Sequence, residues 1–286
     1  MPKISVLMPV YNGAAYLEEA IQSILNQTYD DFEFIIINDG STDRSGEILN
    51  TYVDPRIVRI ENKINVGIVE SLNEGIRAAG GEFIVRMDAD DFSLPNRLGI
   101  QSAFMDSHPE IGVCGSYVQV MNREEIWYQP VHPEEVKCRL LFHCCLAHPS
   151  VMLRRAVLDH YSLRYDSSYA HAEDYQLWTW LSRVTKLTNV PEVLLHYRKH
   201  EGQVSIRRQS EQLGQADRIR YEQLRWLGVE PSESEFAIHL DLCYSGRRSD
   251  ATAKSNWIRK LLTSNMKTGV YDQIALMNLL SSLCSF

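Results

Sequence analysis

The stretch Gly80-Gly81-Glu82-Phe83-Ile84-Val85-Arg86-Met87-Asp88-Ala89-Asp90-Asp91 decides the fold. Its two glycines stop a helix, Phe83-Ile84-Val85 reads as a buried strand, and the chain turns acidic where that strand ends at Met87-Asp88. The same alternation runs upstream. Ile4 to Met8 is a nearly continuous apolar run stopped by Pro9, and residues 14–25 then show helical spacing through Leu17, Ala20, Ile21, Ile24 and Leu25. Phe34 to Ile37 is a second strand, ended by Asn38-Asp39-Gly40-Ser41, with Thr42 or Asp43 placed to cap a helix through Leu49. Ile57 to Ile60 is a third, followed by Asn65-Val66-Gly67 and a helix to Ala79. Strands alternating with helices across short turns predict an α/β fold whose mostly parallel central sheet is covered by helices. In such sheets ligands sit at the carboxyl ends of the strands. Tyr11-Asn12, Asp39 and Asp88 to Asp91 all fall there.

Further on, the pattern loosens. Val113 to Val120, Val151 to Leu153 and Val193 to Tyr197 read as strands, with a helix over Glu173 to Leu181 between them. From Ile206 the chain turns helical, with breaks at 228–234 and near Gly246. No repeat or low-complexity tract interrupts it.

At 286 residues the chain makes one large domain or two modest ones. The net charge of −8 speaks against a nucleic-acid partner. No apolar run approaches a membrane span, and six cysteines without framework spacing read as reduced thiols, so a cytoplasmic protein is expected. Neither GxGxxG nor a P-loop is present. His143, Cys144, Cys145 and His148 have no usual zinc spacing and read as packing.

Three clusters can carry chemistry. Asp88, Asp90 and Asp91 repel one another unless a cation offsets them, which suits a hard Mg²⁺ or Mn²⁺ with positions left open for diphosphate oxygens; alternatively they cap a helix starting near Pro95. Glu173-Asp174 either satisfy a helix N-terminus or, flanked by Tyr165, Trp178 and Trp180, serve a sugar cleft in which a carboxylate takes a hydroxyl proton. Arg198, Lys199 and His200 suit an anionic diphosphate, with His200 able to complete a metal shell, whereas His196 belongs to its strand.

In order, Ser5 to Asn12, Ser23 to Thr28, Phe34 to Asp43, Asn65-Val66-Gly67, Asp88 to Asp91 and Glu173-Asp174 resemble the family 2 glycosyltransferases of the GT-A fold, over roughly residues 3–205. The resemblance implies an inverting, metal-dependent transfer of a sugar from a nucleotide diphosphate, usually a UDP-sugar, to an acceptor hydroxyl. Pro9, Tyr11 and Asp39 would line the nucleoside pocket beside Asp88, within matching segments that also supply Asn12, Asn65 and Gly67 to the donor site. Asp90 would bind Mn²⁺ or Mg²⁺; Asp174 would be the general base and Glu173 its acidic neighbour. Arg198, His200 and Ser205 lie in a Tyr-Arg-x-His stretch where diphosphate or metal contact is expected, with His200 assigned to the metal. Residues 1–204 would form the catalytic domain (1–115 for the nucleotide sugar, 116–204 for the acceptor) and 205–286 a helical extension.

The segments around Arg164, Asp174 and His200 resemble, more narrowly, the bacterial β-1,3-N-acetylglucosaminyltransferases of lipooligosaccharide. UDP-GlcNAc is therefore the first expected donor, with UDP-Gal and UDP-Glc as alternatives, and a saccharide or lipid-linked saccharide the expected acceptor. The competing readings are a non-catalytic nucleotide-sugar-binding module and, without the basic loop it needs after the first strand, a nucleotidyltransferase. The tail residues Arg247, Arg248, Lys254, Arg259 and Lys260 near Trp257 suggest peripheral contact with the inner membrane, although the apolar spacing there fits helix packing better.

Overall fold

A computed structural model describes residues 1–200, 202–203, 208–244 and 250–284. Ser205, Arg247 and Arg248 therefore lie outside the described residues. The first half builds β1 (Ile4–Val10), α1 (Leu17–Leu25), β2 (Phe32–Asp39), α2 (Ser45–Asn50), β3 (Ile57–Asn62), α3 (Ile68–Ala78) and β4 (Phe83–Arg86). These four strands pair in parallel in the order β3-β2-β1-β4. Their alternation divides the core in two. Ile4, Val6, Met8, Phe34, Ile36, Phe83 and Val85 pack on one face with Leu17, Ala20, Ile21 and Ile24 of α1. Leu7, Ile35, Ile37 and Ile84 pack on the other with Val69, Leu72 and Ile76 of α3.

The rest follows as β5 (Phe92–Ser93), α4 (Arg97–Ser107), β6 (Ile111–Val120), β7 (Ile126–Trp127), α5 (Pro133–Arg139), β8 (Met152–Arg154), α6 (Arg155–His160), α7 (Glu173–Leu181) and β9 (Lys186–Tyr197). Here the sheet becomes mixed: β8 is antiparallel to both β4 and β6, β9 is parallel to β6, and β5 is antiparallel to β9. The sheet thus continues as one body from the half bearing β1 to β4 into the half bearing β6 and β9. Two-residue β5 returns the chain after the acidic turn to the end of β9, and so sets Asp88 to Asp91 beside Arg198 and His200.

The tail supplies α8 (Gln209–Trp226), α9 (Glu233–Cys243), α10 (Ala251–Thr268) and α11 (Gln273–Cys284). Ser232 and Glu235 form a capping box on α9, the Asp250 carboxylate accepts the Ala253 N–H at the start of α10, and Gly269 ends α10 in the left-handed region. Trp257, Leu261, Leu276 and Leu280 form a third core with Cys138, Leu141 and Phe142 of and after α5. Trp257 is buried, so the apolar spacing around it serves helix packing, as the spacing predicted, and its ring does not face a lipid surface. Among the described residues no helix is long and apolar enough to cross a membrane.

Candidate active site

Beyond β4 the chain delivers three carboxylates whose oxygens lie within 4.8 Å of one another, those of Asp88, Asp90 and Asp91. They do not cap α4, whose N-cap Asn96 makes no side-chain cap. Asp91 is fully buried and its Oδ1 accepts the Arg198 N–H at 2.9 Å, while its Oδ2 has no partner. His200 Nε2 lies 2.9 Å from Asp90 Oδ2. The Arg198 guanidinium donates to the Asp90 carbonyl at 2.8 Å, pairs with Glu19 and covers the Tyr16 ring, so it holds the acidic loop from behind. Burial pushes the Asp91 carboxyl well above its ordinary range, and the charges of Asp88 and Asp90 add to it; Asp88 is raised too, chiefly by burial. Converging oxygen donors, an orphaned buried Oδ2 and mutual repulsion fit a hard divalent cation.

Arg86 stands beneath this cluster, and sequence reasoning missed it. Strand alternation puts Arg86 on the face of Ile84, where α7 packs, away from Val85 and Met87. It is 4% exposed, ion-paired with Asp88, and its positive charge pulls the pKa values of Asp88, Asp91, Glu173 and Asp174 down, against the burial that raises them. The signal was an arginine embedded in an apolar strand, which must be paired to be buried.

Glu173 and Asp174 open α7 within reach of the Arg86 charge. Asp174 Oδ1 accepts the adjacent Tyr175 N–H at 2.7 Å, and Glu173, 6% exposed, leaves Oε2 unpartnered. The helix N-cap is Ala172, without a side-chain cap, and Asp174 serves a first-turn N–H in its place, as a carboxylate at a helix N-terminus is expected to, while the buried Glu173 Oε2 is left without a partner. Burial first and the Glu173 charge second raise Asp174 to about 7. Tyr165 and Trp178 do not line a sugar cleft: they are 5% and 0% exposed and belong to the core, because Tyr165 anchors on His148 at 2.9 Å and Trp178 meets the His148 ring edge-on. Trp180 is exposed under Arg183.

The ends of β1 and β2 gather the remaining residues. Pro9 is half-buried, and Tyr11 and Asn65 are exposed. Asp39 is 3% exposed and accepts from the Asn62 amide and from the Val66 and Gly67 N–H groups, each at 2.9 Å for the latter two. Asn12, at positive φ, accepts the Thr42 N–H at 2.8 Å and so braces the two loops together. Gly40, at φ +66°, lies so close to the 62–67 segment that a Cβ would sit 2.5 Å from the Ile64 carbonyl carbon. Gly40→Ala is expected to cost more than the ~1–2 kcal/mol of a left-handed alanine and to displace the segment that Asp39 holds; urea unfolding measures it. His196 stacks on Phe92, a strand contact as expected.

A parallel half-sheet thus ends in an acidic cluster, and a second acidic pair lies within the field of the same buried arginine. The Glycosyl transferase family 2 model matches residues 5–161, and the chain belongs to that family; it is a glycosyltransferase. A glycosyltransferase of Haemophilus influenzae, itself uncharacterized, is 34% identical over 239 residues, covering 79% of this chain and 74% of that protein. The Escherichia coli protein named UDP-Glc:alpha-D-GlcNAc-diphosphoundecaprenol beta-1,3-glucosyltransferase WfgD is 30% identical over 176 residues, 61% of this chain and 68% of its own. S. aureus TarS, crystallised with UDP-GlcNAc, aligns with a TM-score of 0.63 at 17% identity, over 98% of this chain and 91% of that one, and so shares the GT-A fold.

Proposed function

We propose that this glycosyltransferase moves a sugar from a UDP-sugar, UDP-GlcNAc first, to a hydroxyl of a saccharide or lipid-linked saccharide in bacterial surface-polysaccharide synthesis, with inversion. The observation that supports the reading is that the two acidic groups, Asp88 to Asp91 and Glu173-Asp174, lie within the field of one buried arginine, Arg86. Pro9, Tyr11 and Asp39, joined by Asn65 and Gly67, face the nucleoside. Asp90, with Asp88 and Asp91, would hold Mn²⁺ or Mg²⁺, which when bound offsets the charge of the leaving diphosphate. His200, 2.9 Å from Asp90 Oδ2, would join Asp90 on the metal, and Arg198, which holds the acidic loop through the Asp90 carbonyl, would stand beside the diphosphate. Asp174 takes the acceptor proton as the hydroxyl oxygen bonds to the anomeric carbon and the bond from that carbon to the diphosphate oxygen breaks. Attack from the side opposite the leaving group inverts the centre. The catalytic body is assigned to residues 1–204, divided near 115, and the tail from 205 to an extension. Peripheral membrane contact is assigned to the groove lined by Arg259, Lys260 and Lys267.

The similarity to WfgD favours UDP-Glc as the second donor. Turnover compared across UDP-GlcNAc, UDP-Glc and UDP-Gal tests the order; the reading expects UDP-GlcNAc to lead. Because the base acts ionised and Asp174 is raised to about 7, kcat/KM is expected to rise with pH and level off above about 7. Glu173 contributes to that elevation, so Glu173→Gln moves the limb to lower pH. A limb that stays in place in this variant would remove Asp174 from the assignment.

A further inference from the structure

A cavity of about 380 Å³ opens one side chain away from Asp174, and no residue of the donor site lines it. Cys144 joins the two: it lines the cavity, and its Sγ lies 4.0 Å from Asp174 Oδ2. The remaining wall is one continuous stretch, from Tyr128 after β7 through Glu135 and Arg139 of α5 to His143. The structure holds this stretch firmly. Asn189, buried on β9, donates to the carbonyls of Pro130 and Cys145 at 2.8 and 3.2 Å, tying together the beginning and the end of the wall. Gly115 leaves room for that clamp, since a Cβ there would meet Asn189 Oδ1 at 2.2 Å. The Tyr175 hydroxyl donates to the Leu140 carbonyl at 2.7 Å, which fixes the wall to the helix carrying Asp174.

The chemistry of the lining is specific. Tyr128 is 71% exposed, yet its ring is braced edge-on by Tyr117 at 5.2 Å and 78°, a standing aromatic plate at the mouth of a polar pocket. Glu135 and Arg139 meet through Oε1 and Nε at 2.9 Å, leaving the other carboxylate oxygen and the terminal guanidinium nitrogens to accept from and donate to neighbouring hydroxyls. Together they are neutral. Burial, with Arg220 and Arg139 nearby, lowers His143 to about 4, so it adds no charge at neutral pH.

We propose that this cavity, walled by Tyr128, Glu135, Arg139 and His143, is the acceptor subsite and takes an uncharged saccharide ring, stacked on Tyr128, with its hydroxyls shared between Glu135 and Arg139. It rests on the transferase reading above and adds the class of acceptor. An anionic sugar or a bare lipid diphosphate finds no net positive charge in this wall.

The test uses the full chain with UDP-GlcNAc, UDP-Glc or UDP-Gal and two acceptor sets: the methyl glycosides of glucose, galactose, mannose and N-acetylglucosamine, and those of glucuronic and galacturonic acid. Wild type, Tyr128→Ala and Arg139→Ala are compared, with UDP affinity measured by titration on each. The expected result is transfer to at least one neutral glycoside and none to the uronides, with acceptor KM raised tenfold or more in both variants and the UDP dissociation constant unchanged. Unchanged acceptor KM in both variants, preference for a uronide, or transfer to no glycoside by a wild type that binds UDP would each overturn the subsite. Failure of the wild type to bind UDP would instead strike the donor reading beneath it.

Discussion

Asp174→Asn is expected to abolish sugar transfer, by about 10²–10⁴-fold from the loss of the base alone, while the folded protein becomes more stable at pH 8. Asparagine retains the shape and the Oδ1 that accepts the Tyr175 N–H. What it removes is a carboxylate raised to about 7 by burial and by Glu173. A carboxyl elevated in the fold contributes stability that is present below its unfolded value near 4 and is lost as pH rises through about 7. Above pH 7 the wild type therefore carries a penalty on the order of 2–4 kcal/mol, discounted for the carboxylate's partial contact with solvent in the cleft, which the asparagine variant escapes. Thermal unfolding at pH 4 and pH 8, run beside the transfer assay, separates the two effects. Equal melting temperatures at both pH values would mean that the Asp174 ionisation is not strained, and near-normal turnover would remove it as the base.

Arg86→Met should have the largest cost in stability. The guanidinium is buried among Asp88, Asp91, Glu173 and Asp174, and its removal leaves four recessed carboxylates without their shared cation. Removing one partner of a buried pair costs about 3–5 kcal/mol. The charge of Arg86 lowers all four carboxyls, so its loss raises them. A raised carboxyl loses stability with rising pH, hence the variant is expected to be weakest above neutrality and to recover as the carboxyls protonate toward pH 5. Urea midpoints at pH 5 and pH 8 measure this. A loss of the same size at both pH values would show that Arg86 acts through packing of its stem alone.

The parts of this molecule that follow short-range rules were legible in its residues. The apolar runs at Ile4, Phe34 and Phe83 lie between helices of 3.6 spacing, so β1, β2 and β4 and the acidic turn beyond β4 followed from periodicity; α7 begins and ends where its pattern said. The start of β9 did not, because Thr188 and Asn189 are polar residues turned toward Val131, Pro130 and Cys145, and their burial is satisfied by contacts about 44 to 59 residues away. Tyr165 and Trp178 looked like a sugar platform because aromatic composition does not distinguish a cleft from a core; the partner that buries them, His148, is distant in sequence. Arg86 was passed over as one residue of a strand, since its meaning depends on which helix covers that face. The cavity beside Asp174 was invisible for the same reason: its wall is local, but its position against α7 is set by the Tyr175 to Leu140 bond.

Titration of the purified protein with UDP, with and without Mn²⁺, on wild type and on Asp90→Ala, tests the central claim most directly. The account predicts that Mn²⁺ tightens UDP binding in the wild type by tenfold or more and that the gain disappears in Asp90→Ala, where the three-carboxylate cluster loses the oxygen facing His200. No UDP binding under either condition, or an equal effect of Mn²⁺ on both proteins, would contradict it.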